Sequence, residues 1–177
     1  MIRTAEEDSQ FLILDRPQIN VQPKRLALNK ARAALGNLSE ADHRLVLGSD
    51  TIVVCDQAVL GKPENKAQGL AMLRLLANRK HQVMTAVALM NHEQEALTMS
   101  LTEVTFKPLS ESEIQAYWDS GEPADKAGAY AVQGLGAMFV SEIHGSYSCV
   151  VGLPIYETVQ LLADFGMDSR AILNNLR

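Results

Sequence analysis

Asp50 is a carboxylate set inside an apolar strand. The segment Arg44-Leu45-Val46-Leu47-Gly48-Ser49-Asp50-Thr51-Ile52-Val53-Val54 has three apolar residues before its polar centre and three after. A strand interior does not lightly accept an ionised carboxylate, because burying one without a partner is expensive. Asp50 is therefore either exposed where the strand bends or held for chemistry. Seven residues after Val54, Gly61-Lys62-Pro63 places a cation and a rigid turn close downstream. An acid, hydroxyls and a lysine near one strand end suit phosphate and metal chemistry. Ser, Asp and Thr also end ordinary strands by bonding to local backbone, so this segment alone leaves both readings open.

Other segments add to it. Lys30 shares a helix face with Ala27, Ala31 and Ala34. It is either a surface residue with a buried stem or a cation reaching over a low wall of small side chains into a pocket. Gly134-Leu135-Gly136 lacks the third glycine of a dinucleotide fingerprint and precedes a strand, which excludes a Rossmann reading. Asp125-Lys126-Ala127-Gly128-Ala129-Tyr130 follows a charged pair with small residues that allow close backbone approach. Gly145 to Pro154 combines hydroxyls with a buried strand and a helix start, where backbone N–H groups could face an anion. Each is a turn when taken singly. Together with Asp50 and Lys62 they could line one cleft.

The elements that must position these residues read as mixed α/β. Phe11–Leu14 is a short strand and Asp15–Pro23, with its two prolines, a loop. Lys24–Leu35 is a helix stopped by Gly36. Leu45–Cys55 and Ala58–Leu60 are strands, and Asn65–Leu76 is an amphipathic helix. His81–Met90 and Ala96–Phe106 form a hairpin across the polar turn at Asn91-His92-Glu93-Gln94. A capping box at Ser110 and Glu113 opens a helix to about Ser120. Ala137–Ile143 and Cys149–Val151 read as strands, Pro154 starts a helix closed by Gly166, and the tail from Met167 holds one more short helix.

Composition sets bounds. The 177 residues fit one domain, or one domain with a lobe, and 47% of them are hydrophobic, enough for a sizeable core. The balance of 16 basic against 21 acidic residues argues against a dedicated nucleic-acid binder. It leaves room for a nucleotide substrate met by a few local lysines. Cys55 and Cys149 sit in apolar runs without metal or redox spacing, which fits a reducing compartment. No apolar run reaches membrane-span length, and the acidic N-terminus is unlike a signal peptide, so the expected location is the cytoplasm, with no membrane partner.

In combination, these blocks resemble the Maf-like nucleoside triphosphate pyrophosphatases. The resemblance rests on Arg25-Leu26-Ala27 with Lys30-Ala31, on Gly48-Ser49-Asp50-Thr51, on Leu60-Gly61-Lys62-Pro63, and on Gly121-Glu122-Pro123 with Asp125-Lys126-Ala127-Gly128-Ala129-Tyr130. It continues through Gln133-Gly134-Leu135-Gly136 and Gly145-Ser146-Tyr147 with Val150-Val151-Gly152-Leu153-Pro154, in the family's order from about Lys24 to Gly166.

The resemblance implies a single Maf-like domain over 1–177: an elongated α/β fold with a mixed sheet and flanking helices, related to the inosine triphosphate pyrophosphatases. It implies hydrolysis of a nucleoside triphosphate to monophosphate and pyrophosphate with a divalent cation, Mg²⁺ or Mn²⁺. The family's general base, also a metal ligand in this reading, matches Asp50, and its phosphate-binding lysines match Lys30 and Lys62. Thr51 and Gln133 match the base-specificity positions of the branch acting on dTTP and UTP. A glutamine offers both a donor and an acceptor, which suits the imide edge of thymine or uracil. A homodimer is left open. The departure is at the N-terminus: the family's Leu-Ala-Ser-x-Ser-Pro-Arg-Arg loop has no match ahead of Arg25, and neither has its acidic residue after the second strand. The rival expectation is a nucleotide-binding or interaction protein of the same fold with impaired catalysis.

Overall fold

The computed structural model describes residues 11–41 and 43–174, with backbone alone at 12 and 13. Six strands form one sheet in the order β1-β3-β2-β4-β5-β6, where β1 is Leu12–Ile13, β2 Val46–Cys55, β3 Ala58–Leu60, β4 Lys80–Met90, β5 Glu95–Phe106 and β6 Val140–His144. The resemblance implied a mixed sheet. Every pairing among the described residues is instead antiparallel, because each strand follows its sheet neighbour by a turn or returns beside it in reverse. The long β4–β5 hairpin is as the sequence indicates, closed at Asn91, whose side chain accepts from the backbone N–H groups of Glu93 and Gln94.

Alternation along the strands divides the core between two faces. Helix α1 (Arg16–Leu35) lies on one face, over Ile52, Val54, Met84, Ala86 and Ala88. The other face carries Val53, Val83, Val104 and Phe106 under α2 (Lys66–Leu76) and α3 (Glu111–Asp119), and Val87 and Leu89 under α5 (Ile155–Asp164). Its centre is an aromatic cluster in which Phe106 meets His81, Tyr130 and Phe139, the last packed edge-on against Tyr117.

Three expectations fail for identifiable reasons. The segment 15–23 is not a loop. Asp15 caps α1 through a reciprocal box with Gln18, Pro17 sits in the first turn where its missing N–H costs nothing, and Pro23 is buried inside the helix. Residues 149–151 are not a strand, because Ser146 accepts from the Cys149 N–H and starts the short helix α4 (Tyr147–Val151). The last sheet strand begins at Val140, since Leu135–Phe139 is wound into a 3₁₀ turn. The final helix α6 is Ser169–Asn174. Among the described residues, no helix is long and apolar enough to cross a membrane.

Candidate active site

Strand β3 is only three residues long and pairs with Val53–Cys55 of β2. Among the described residues, the rest of β2 has no strand on that side. Side chains from both faces of β2 therefore reach the same open edge, Asp50 from the α1 face and Ser49 and Thr51 from the other. That answers the question raised by a carboxylate in an apolar strand. The Asp50 side chain is 13% exposed and looks into a cleft of about 250 Å³ at this edge.

Packing fixes what faces Asp50. Ala27 and Ala31 are fully buried, and α1 rests on β2 directly over Gly48. A Cβ on Gly48 would stand 2.7 Å from the Ala31 nitrogen and 2.9 Å from the Ala31 Cβ, with the Ala27 carbonyl closer still. Glycine thus permits a contact that no other residue allows. Lys30, between those alanines in the chain, emerges beside the seam. Its Nζ donates to Asp50 Oδ1 at 2.7 Å and to the Ser49 carbonyl at 3.0 Å. Asp50 Oδ2 makes no hydrogen bond among the described residues.

Helix α4 forms the opposite wall and is held by three hydroxyls. Thr102 on β5 donates to the Ser146 carbonyl at 3.1 Å, Thr85 on β4 to the Cys149 carbonyl at 2.7 Å, and Ser49 on β2 to the Gly152 carbonyl at 2.7 Å. Three adjacent strands therefore each bond one carbonyl of the short helix or its ends, and at Ser146 and Cys149 the hydroxyl adds to a backbone N–H that the carbonyl already accepts. Gly152, at φ 115°, ends the helix and lets the chain turn across the cleft beside Thr51.

The third wall joins two loops. The Gly128 N–H donates to the Gly61 carbonyl at 3.0 Å, which places Asp125-Lys126-Ala127 next to Lys62. Lys126 pairs with Asp125 through both carboxylate oxygens, at 2.9 and 3.0 Å. Hydrogen bonding to Lys126, with the charges of Lys126 and Lys62, holds the Asp125 carboxyl below its usual range against a smaller opposing effect of burial. The Lys62 ammonium makes no hydrogen bond among the described residues. Tyr130 closes the floor and shares a 2.9 Å hydrogen bond with His81 Nε2; burial pushes the phenol pKa up and pulls His81 down to about 4. A wider cavity of about 520 Å³, between Leu26 and Gln68, continues from the cleft and shares Asp50, Thr51 and Lys62 with it.

Four of the five residues singled out in the sequence, Lys30, Asp50, Thr51 and Lys62, line this one cleft. Gln133 does not. It is exposed, on the loop leading to Gly134. That loop is fixed by Glu122, whose carboxylate accepts from Tyr117 Oη at 2.7 Å, Leu135 N at 2.8 Å and Gly136 N at 2.9 Å. Burial opposes ionisation of Glu122, but these three hydrogen bonds outweigh it and depress the pKa. Two residues escaped sequence reasoning. Glu122 was visible only as part of a motif, and Thr85 as one polar residue in an apolar strand. The signal for Thr85 was available, since a lone hydroxyl in an otherwise apolar run needs a partner.

The donor set suits a hard divalent cation bound with its substrate. Mg²⁺ takes one or two carboxylates, keeps water and uses substrate phosphates for the rest. Asp50 and Asp125 face the same cleft, and among the described residues Asp50 Oδ2 has no hydrogen-bond partner. Among the described residues, no group of three or more His, Cys, Asp or Glu forms a preassembled metal cage. A cleft with lysines on two sides and a carboxylate between them has the charges to handle a phosphate group.

Residues 3–165 match the family described as Maf-like protein, and the chain belongs to that family. Among curated proteins it is 54% identical over 141 residues to the dTTP/UTP pyrophosphatase of Vibrio vulnificus (strain YJ016), covering 80% of this chain and 75% of that protein. It is 53% identical over 163 residues to the dTTP/UTP pyrophosphatase of Vibrio parahaemolyticus, covering 92% and 80%. It is 49% identical over 161 residues to that of Pseudoalteromonas atlantica, covering 90% and 83%.

Proposed function

We propose that this protein hydrolyses dTTP and UTP to the monophosphate and pyrophosphate. The observation that carries the proposal is the Lys30–Asp50 pair at the open edge of β2, with Lys62 on the facing loop. The similarity to dTTP/UTP pyrophosphatases adds the substrate. Asp50 Oδ2 takes a proton from a water that attacks the α-phosphorus. The bond from that phosphorus to the bridging oxygen breaks, and pyrophosphate leaves with the electron pair. Lys30 holds Asp50 in place and, with Lys62, meets the charge of the triphosphate. Asp50 and Asp125 are the residues that would hold Mg²⁺ or Mn²⁺, and the cation would supply charge neutralisation for the leaving pyrophosphate. The fold is that of the inosine triphosphate pyrophosphatases, the chain acts as one domain in the cytoplasm, and Gln133 contacts the base only if substrate brings its loop to the cleft.

The test is pyrophosphate release across a nucleotide panel with Mg²⁺ or Mn²⁺, with and without chelator. Activity is expected on dTTP and UTP above the purine nucleotides, and Asp50→Asn abolishes it without loss of fold. Undiminished turnover in the folded Asp50→Asn protein would remove Asp50 as the base. A folded wild type that binds nucleotides and releases no pyrophosphate points instead to a binding protein.

A further inference from the structure

Thr51 Oγ1 lies 2.8 Å from Thr85 Oγ1, and the two residues face each other in register across β2 and β4. From the contact alone either hydroxyl could be the donor. The next bond decides it. Thr85 Oγ1 is 2.7 Å from the Cys149 carbonyl, which can only accept, so the single Thr85 proton is committed there. Thr85 is fully buried and has no water to exchange with. The Thr51 proton must then point at Thr85, and only lone pairs of Thr51 face the cleft. A hydroxyl that could serve either way in solution is set in one direction.

We propose that Thr85 is a positioning residue that makes Thr51 an acceptor in the nucleotide site, so that the site favours a nucleoside group donating a hydrogen there. This rests on the nucleotide-hydrolase reading above. Two groups of dTTP and UTP have that chemistry: the imide N3–H of the base and a hydroxyl of the sugar. Cytosine differs from uracil in the required sense, because its N3 is an acceptor and would set lone pair against lone pair. A 2′,3′-dideoxy sugar lacks the hydroxyl donor.

The experiment measures kcat/KM for pyrophosphate release from UTP, CTP, dTTP and 2′,3′-dideoxy-TTP with wild type, Thr85→Val and Thr85→Ser. The nucleotide-induced rise in Tm is read in parallel. Valine keeps the volume and removes the hydroxyl; serine keeps the hydroxyl. The bond lost is a neutral one, so Thr85→Val is expected to lower kcat/KM by about two- to tenfold on the donor-bearing nucleotide, mainly through KM. The UTP-to-CTP ratio collapses if the donor is the imide, and the dTTP-to-dideoxy ratio if it is the sugar. Thr85→Ser restores the ratio. Should Thr85→Val not fold, Thr51→Val removes the acceptor without touching α4 and is expected to collapse the same ratio. An equal fall on all four nucleotides, or no change in either ratio, overturns the inference, because a residue that only seats α4 has no means of telling them apart. An inactive wild type strikes the parent reading instead, and the Tm shifts then still report whether the ratios follow Thr85.

Discussion

Gly48→Ala tests the seam that brings Lys30 to Asp50. The new methyl would meet the Ala31 nitrogen at 2.7 Å and the Ala31 Cβ at 2.9 Å. Ordinary carbon contacts lie at about 3.5–4 Å, so α1 must lift from β2 by roughly 0.5–1 Å. The groups in the way are mostly backbone of a helix 20 residues long, which cannot swing aside as a side chain does. Overpacking of this kind costs about 1–3 kcal/mol, and a rigid obstacle places the cost near the upper end. With a urea dependence of about 1–3 kcal/mol per molar, the midpoint of unfolding should fall by about 1 M. The 2.7 Å bond from Lys30 to Asp50 lengthens at the same time, and a misplacement near 1 Å costs on the order of 100-fold in rate. Lys30→Gln is the control. It removes a pair whose lysine is 57% exposed, so it should change stability by less than about 1 kcal/mol while still impairing turnover. A Gly48→Ala protein with wild-type midpoint and wild-type kcat/KM would refute the close contact and the account of how Lys30 is placed.

Two further outcomes are expected. The buried His81 has its pKa lowered to about 4 from an ordinary 6.5, so the unfolded chain binds the extra proton between those values; stability is full above pH 6.5 and declines as pH falls towards 4, by about 2 kcal/mol between pH 7 and pH 5 at ~1.4 kcal/mol per unit. Urea midpoints at the two pH values should show the decline in wild type and a smaller one in His81→Gln; equal slopes would place the acid sensitivity elsewhere. Glu122→Gln leaves one amide oxygen where three donors converge, and should cost roughly 1–3 kcal/mol for the donor left unpaired; an unchanged midpoint would mean that the Gly134–Gly136 turn does not depend on the carboxylate.

What the sequence makes legible follows its physics. Hydrophobic alternation locates the β4–β5 hairpin, and the Ser110 box locates α3. Asp50 is conspicuous because a carboxylate conflicts with its apolar surroundings. The segment at 15–23 misleads because proline is read as a breaker, whereas a first-turn proline and a reciprocal Asp15–Gln18 cap favour the helix. Cys149–Val151 misleads because a short apolar run has no period of its own, and the arbiter, the Ser146 cap, precedes it. Lys30 was placed on a face with Ala34, yet the buried stripe is Ile19, Pro23, Ala27 and Ala31, with Lys30 on its flank. The three hydroxyls that seat α4 come from three strands and converge only in the folded sheet.

The Lys30–Asp50 pair does not owe its place to stability. A pair with one partner largely in water contributes between nothing and about 1 kcal/mol. Against that stands the partial desolvation of Asp50, a carboxylate that could have been an apolar residue like its neighbours at positions 52 and 54. Bringing the pair together also requires a glycine inside a strand, where glycine is less favourable than alanine, and two alanines on a helix where larger side chains would bury more area. Each of these choices lowers the stability available to the fold, and each serves to bring one ammonium to one carboxylate at the only part of β2 that the described sheet leaves unpaired. Local rules broken together at one place, without a gain in packing, mark a functional site rather than a structural one.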